Sequence, residues 1–305
     1  MNAPSPHTNA AEGVRRWKPS PLILGTAALH GGAAAAVLAQ PATWPWAASG
    51  VVASHLVLTA AGLWPKSALL GPNWTRLPDT SGGADRRIAL TIDDGPDPEV
   101  TPRVLDLLDR HGARATFFCI GDLARRHPQW IEAMVARGHA VENHSQRHRH
   151  TFSLSGPGAL RQEIEVAQET LAEISGTRPL FFRAPAGLRN PFLEPVLCGL
   201  GLRLASWTRR GFDTRERDAG KVARRLLQGL APRDILLVHD GHAARSADGR
   251  PVVLEVLPKV LRAAAAAQLQ WTTLRGALAA QAVWHEGERE RPVPGGGRHP
   301  PFDKI

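Results

Sequence analysis

The sequence predicts an α/β protein, a distorted seven-stranded barrel of β/α units preceded by two hydrophobic helices of membrane-spanning type. Three observations carry that expectation. Short apolar runs alternate with amphipathic stretches from Arg86 onward, a long stretch upstream has no charge at all, and polar residues recur where the apolar runs end. With 305 residues, 43% hydrophobic and 21% charged, the chain is not mainly disordered, collagen-like or coiled-coil. Its two cysteines, Cys119 and Cys198, exclude a disulfide scaffold and a four-cysteine zinc site. The 37 Lys+Arg against 28 Asp+Glu leave +9, yet no stretch interleaves basic and aromatic residues along one face, so no nucleic-acid partner is expected.

Residues 1–20 read as a polar N-terminal tail. From Pro21 to Trp64 there are 44 uncharged residues, enough for two crossings of about 20 residues each. We place these over Leu22–Ala39 and Trp46–Trp64, joined by Gln40, Pro41 and Pro45, so that residues 21–64 form a hairpin that partners the membrane. Trp44, Trp46 and Trp64 suit the interfacial belts. Two other readings compete: buried soluble helices containing His30 and His55, or a signal peptide with its positive region at Arg15, Arg16 and Lys18. Two crossings bring the chain back to its starting side, and Arg15, Arg16, Lys18, Lys66 and Arg76 favour the cytoplasm for both ends. Residues 65–85 read as a linker, 86–278 as the main globular domain and 279–305 as a flexible tail.

Seven strands are expected, at Arg87–Ile92, Ala115–Ile120, His139–Asn143, Leu180–Arg183, Leu202–Trp207, Ile235–His239 and Leu269–Leu274. Between them lie helical spacings such as Ile164, Ala167, Leu171 and Ile174. In a parallel barrel the reactive residues gather at the carboxyl ends of the strands. Five strand ends pass that filter: Asp93 and Asp94 after the first strand, His144 and His148 after the third, Arg183 at the end of the fourth, Asp213 after the fifth, and His239 with Asp240 after the sixth.

Each has a plain alternative. Asp-Asp-Gly-Pro is a common strand-ending turn, histidine clusters are often solvated loops, and Arg183 or His239 could serve packing. Unrelated turns have no reason to deliver these types in this order. Two imidazoles four residues apart plus one carboxylate make a three-ligand site with open positions, the arrangement of a catalytic zinc. Successive side chains diverge, so one of the paired aspartates can bind metal while the other takes a proton from water, and a separate histidine can protonate a leaving nitrogen. Metal-assisted hydrolysis of an amide or ester follows.

With these motifs the sequence resembles the polysaccharide deacetylases, whose domain was first recognised in nodulation proteins and is also called carbohydrate esterase family four. The resemblance covers Arg86 to Leu278. Thr91, Ile92, Asp93, Asp94, Gly95 and Pro96 match its first motif, which implies Asp93 as general base and Asp94 as metal ligand. His144, Ser145 and His148 match the second and imply the two histidine ligands of a divalent metal, zinc by preference. Arg183, Pro185 and Gly187 match the third, in which the arginine pairs with the base. Asp213 stands at the fourth motif's aspartate, which tunes the acid, and Leu237 and His239 at the fifth imply an acyl-methyl pocket and the general acid.

Three positions depart from the family pattern. Ala186 stands where many members carry Tyr or Trp at a position whose backbone N–H helps hold the oxyanion; Thr214 replaces a common tryptophan; and Ile92 replaces Phe. Pro185, Ala186 and Leu237 are the expected substrate contacts. The resemblance implies a hydrolase that removes an N-acyl group, acetyl foremost, from an amino sugar of a glycan or glycolipid at a bacterial inner membrane. Two alternatives are a deformylase or deacetylase of a lipid-linked sugar at the inner face, and a catalytically dead carbohydrate-binding domain. If only one segment spans, the domain faces the periplasm.

Overall fold

The computed structural model describes residues 15–289, so most of the expected N-terminal tail and the last part of the expected C-terminal one lie outside it. Helix α1 (Pro21–Ala39) starts where Ser20 caps the backbone N–H of Ile23 and Pro21 occupies the first turn. A 3-10 turn at Pro41–Thr43 reverses the chain into α2 (Trp44–Leu63). The two helices are long and apolar enough to cross a membrane. They are not core helices of the domain, because α1 buries no residue and α2 buries only Leu58, Ala61 and Gly62 near its end. Between them His30 Nε2 lies 3.2 Å from His55 Nε2, and Ser54 donates to Thr26 across 3.1 Å.

All seven expected strands form: β1 (Arg87–Asp93), β2 (Ala115–Cys119), β3 (Ala140–Asn143), β4 (Phe181–Phe182), β5 (Arg203–Leu204), β7 (Ile235–His239) and β8 (Gln270–Thr272). An eighth, β6 (Arg209–Arg210), was not foreseen because its two arginines carry no apolar alternation. Asp213 therefore follows β6 rather than the fifth strand. The sheet is parallel and curled, in the order β5-β4-β3-β2-β1-β7-β6, with β8 paired to Arg87–Ala89 of β1 before the β2 ladder begins at Leu90. It makes a half-barrel.

Period-2 alternation decides what points inward. On β1, Leu90 and Ile92 face outward with Leu236 and Val238 of β7, onto α3 (Thr101–Arg110), α8 (Ala219–Leu227) and α9 (Val252–Ala266). Ala89, Phe118, Ile235 and Leu237 face the other way and fill the interior. Asp93 and His239, paired in the β1–β7 register, continue that inward row at its carboxyl end.

Residues 65–85 are no free linker. Trp74 pairs with Ala205 beyond β5, Arg76 pairs with Asp234 before β7, and Leu77 is fully buried between them, so this segment closes the gap between the sheet's two edges. The expected tail differs only in that 279–289 continue α10 (Leu274–Arg289), a helix whose first turns send Leu274, Ala277 and Leu278 into the interior core.

Candidate active site

At the carboxyl ends of the strands lies a cavity of about 610 Å³. Asp93, Asp94, His144, His148, Ala186, Leu237 and His239 all line it. Pro185 is buried behind the wall, where it opens a 3-10 turn that leaves Ala186 in the left-handed region at φ 56°. Arg183 and Asp213 are buried beneath the surface and act through their neighbours.

Asp94 leaves β1 with φ 72°, an uncommon conformation for a side-chain-bearing residue. Gly241 permits it, since a Cβ there would sit 2.2 Å from the Asp94 carbonyl oxygen. The loop after β3 also curls through left-handed residues, Ser145 at φ 65° and His148 at φ 50°. Asn143 accepts from the Ser145 N–H and the Ser145 hydroxyl accepts from the His148 N–H, which fixes the curl. Both imidazole Nε2 atoms thereby come to 3.2 Å from Asp94 Oδ1.

The donor atoms of Asp94, His144 and His148 lie within 4.8 Å of one another, and their chemistry fits a divalent transition metal. His144 Nδ1 donates to the Arg183 carbonyl at 2.8 Å, which leaves Nε2 with a free lone pair facing the site. Burial, aided by the neighbouring His144, pushes His148 down to about 4, so its ring is neutral near pH 7. Burial opposes ionisation of Asp94, but the adjacent His144 and His242 imidazoles outweigh it and hold its carboxyl well below the usual carboxylate range.

Asp93 points to the side. Arg183 donates from Nη1 to Asp93 Oδ1 at 2.6 Å and to the Thr91 hydroxyl at 2.8 Å, while Nη2 donates to the Ser206 carbonyl at 2.7 Å. Its guanidinium also lies 4.1 Å from the Phe118 ring centroid, so Asp93 is held by a fully engaged cation. Opposite, Asp213 accepts from His239 twice, from the backbone N–H at 2.7 Å and from Nδ1 at 2.9 Å. Burial works against charging His239, but the Asp213 carboxylate outweighs it and raises the imidazole to about 9. The cavity thus holds a three-donor cluster flanked by a carboxylate acceptor and a protonated imidazole donor.

Sequence reasoning missed several lining residues, of which three stand beside the groups above. His242 places Nδ1 3.4 Å from Asp94 Oδ2, on the side away from His144. Trp207 and Arg210 form a wall beside Gly187. The signals were present, in the last residue of "HDGH", two beyond Asp240, and in the aromatic after β5, but neither has a spacing that dictates a role.

The polysaccharide deacetylase family profile matches residues 81–205. The chain is 32% identical over 169 residues to a chitooligosaccharide deacetylase of Sinorhizobium fredii, covering 55% of this chain and 79% of that relative. It is 33% identical over 177 residues to the peptidoglycan-N-acetylglucosamine deacetylase PgdA of Listeria monocytogenes, covering 58% of this chain but only 37% of PgdA. Among solved structures, a family 4 carbohydrate esterase from Streptomyces lividans in complex with acetate superposes with a TM-score of 0.55 at 28% identity, over 61% of this chain and 91% of that one. A family pseudoenzyme from Bacillus anthracis has the same fold, with a TM-score of 0.60 at 17% identity over 68% of this chain and 69% of that one.

Proposed function

The chain belongs to the polysaccharide deacetylase family, and on that premise we propose that it is a metal-dependent hydrolase that removes the N-acetyl group from an N-acetylglucosamine-containing glycan or glycolipid. The observation that carries the reading is the juxtaposition in one cavity of the Asp94/His144/His148 cluster, the Asp93–Arg183 pair and the His239–Asp213 pair. A pseudoenzyme with this fold means that fold alone is no argument for activity. The complete set of paired residues is one, and it favours an enzyme over an inactive binding domain.

Asp94, His144 and His148 would hold the metal, zinc by the chemistry of two imidazoles and a carboxylate. When bound, such an ion supplies Lewis acidity that polarises the amide carbonyl and eases deprotonation of water. Asp93 accepts the proton of the attacking water, aimed by its ion pair with Arg183. His239 delivers a proton to the amide nitrogen as the C–N bond breaks, so the products are acetate and a free amine. Leu237 and Ala186 line the space beside these groups, where a small acyl methyl can be seated.

We further read residues 21–64 as a two-helix anchor in a bacterial inner membrane with the catalytic domain on the cytoplasmic side. Contacts on both flanks support an even number of crossings. Before α1, the Arg15 N–H donates to the Cys198 carbonyl at 3.0 Å and its guanidinium pairs with Glu194 at 3.2 Å; after α2, Lys66 donates to the Thr208 carbonyl at 2.6 Å.

The test is acetate release from N-acetylated chitooligosaccharides, combined with metal analysis of the purified full chain. One metal ion per chain and acetate release are expected, both lost in an Asp94/His144/His148 triple alanine variant. Stoichiometric metal retained by that variant, or no acetate from any N-acetylated glycan, would overturn the assignment.

A further inference from the structure

We propose that the sugar this site processes is carried on a membrane lipid through a phosphate group, with the phosphate held by Arg210 and the lipid leaving along the end of α2. The inference rests on the deacetylase reading above and names its substrate class.

Among the described residues Arg210 is an arginine without a counterion. Its guanidinium carbon lies 5.2 Å from the Trp207 ring centroid and 5.1 Å from that of Phe212, so two aromatic rings hold the planar group in place. Its Nε is buried and has no hydrogen-bond partner, and no carboxylate among the described residues lies within ion-pair distance. The contrast is with Arg183 on Asp93 and Arg209, one residue away, on Asp234. A buried, unpaired N–H costs free energy, and a stacked guanidinium is a pre-oriented fork for phosphate. Arg126, Arg147 and Arg215 line the same cavity, Arg147 paired with Glu163 at 3.4 Å; the one carboxylate in the lining besides Asp93 and Asp94 is Asp122, which accepts from Gln146 at 2.7 Å. The mouth is built for an anion.

The wall that carries Arg210 stands on the end of the hairpin. A Cβ added to Gly187 would lie 2.6 Å from the Trp207 ring and 2.8 Å from Pro65, which follows α2 by two residues. Ser206 donates its hydroxyl to the Pro65 carbonyl at 2.6 Å. On the other flank of the same helix end is an apolar cavity of about 470 Å³ between hairpin and domain. Ile23, Ala27, Leu58 and Leu63 line it from the helices, Leu154 and Phe192 from the domain. Leu154 is 83% and Phe192 49% exposed, large apolar side chains placed where a bilayer-embedded hairpin meets the domain. A neutral soluble oligosaccharide has use for neither the orphan arginine nor the greasy cleft. A sugar joined by phosphate to an isoprenoid chain uses both.

The test compares three substrates on the full chain in lipid nanodiscs: N-acetylglucosamine joined through a diphosphate to a polyprenol, N-acetylglucosamine 1-phosphate, and N-acetylchitotetraose. We expect kcat/KM to fall in that order. Arg210→Gln should lower kcat/KM for the two phosphate-bearing substrates roughly 10- to 100-fold, the scale of a hydrogen bond to a charged group, and for the tetraose at least tenfold less. Arg210→Lys, which keeps the charge but not the fork, should fall between. The Leu154→Ser/Phe192→Ser double variant should erase the advantage of the lipid-linked substrate over the sugar phosphate. A wild-type enzyme that prefers the tetraose, or an Arg210→Gln loss equal on all three, would overturn the proposal while leaving the deacetylase reading intact. Absence of acetate from all three would overturn the deacetylase reading itself.

Discussion

At the scale of single residues, the two groups proposed to handle protons, Asp93 and His239, are set apart by their partners. His239 favours its charged form in the fold, so its contribution to stability is complete below its unfolded value of about 6.5 and is lost as pH rises through about 9. If it is the general acid, the same deprotonation gives the alkaline limb of the rate profile. Asp213→Asn removes the carboxylate that holds the proton, and the alkaline limb of kcat/KM should shift to lower pH; an unmoved limb would assign it to another group. Asp93→Asn should cost about 100-fold or more in kcat, as expected for a positioned acid–base group, and turnover near wild type would reassign the base. His242 orients the second oxygen of Asp94. His242→Ala should weaken metal retention by about 10- to 100-fold, in line with other supports of metal ligands, as read by chelator competition. His242→Gln, which can still donate, should recover part of it.

At the scale of elements, the seating of α2 is the most informative contact. Gly62 packs so closely on the domain that an added Cβ would lie 2.2 Å from the Arg189 carbonyl oxygen, while the Arg189 N–H donates to the Gly62 carbonyl at 3.1 Å. The buried Arg189 side chain also donates to the Ser67 carbonyl at 2.6 Å. Gly62→Ala should therefore destabilise by about 1–3 kcal/mol, the usual cost of overpacking. Gly31, in α1, has nothing within 4 Å of an added Cβ, and Gly31→Ala should be neutral or stabilise by up to about 1 kcal/mol. Equal thermal unfolding midpoints for the two variants would show that α2 is not seated on the domain through Gly62. The same scale explains what a pattern-based reading of 65–85 could not foresee. Leu77 and Trp74 look like sparse apolar residues among turn formers, and only the opposed edges of the sheet give them a slot.

For the whole molecule, the proposed two-helix anchor predicts which side of the membrane the cavity faces. The native cysteines, Cys119 and Cys198, are buried, so single introduced cysteines can be read cleanly with a thiol reagent that does not cross membranes. Asp248→Cys, on an exposed loop of the domain, should stay unlabelled in intact cells and react after lysis, whereas Ala42→Cys, exposed in the turn between the helices, should be labelled from outside. Labelling of Asp248→Cys in intact cells would overturn the cytoplasmic orientation.

The amino-acid sequence by itself determined the strand count to within one, the helical hairpin and which acidic and histidine side chains converge in the cavity. Those features are written in local signals: period-2 apolar runs, a charge-free stretch, and strand-ending motifs whose residue types have few other uses together. The tertiary structure decided which residues share a cavity without sharing a motif. Arg210 between Trp207 and Phe212, His242 on the far oxygen of Asp94, Pro65 against Gly187 and the 74–77 segment between two sheet edges all depend on residues distant in the chain or on a bend that no periodicity encodes. Side-chain chemistry at a strand end is legible from neighbours in sequence. The wall opposite it is supplied by whatever the curl of the sheet brings round, and that is fixed only when the core is packed.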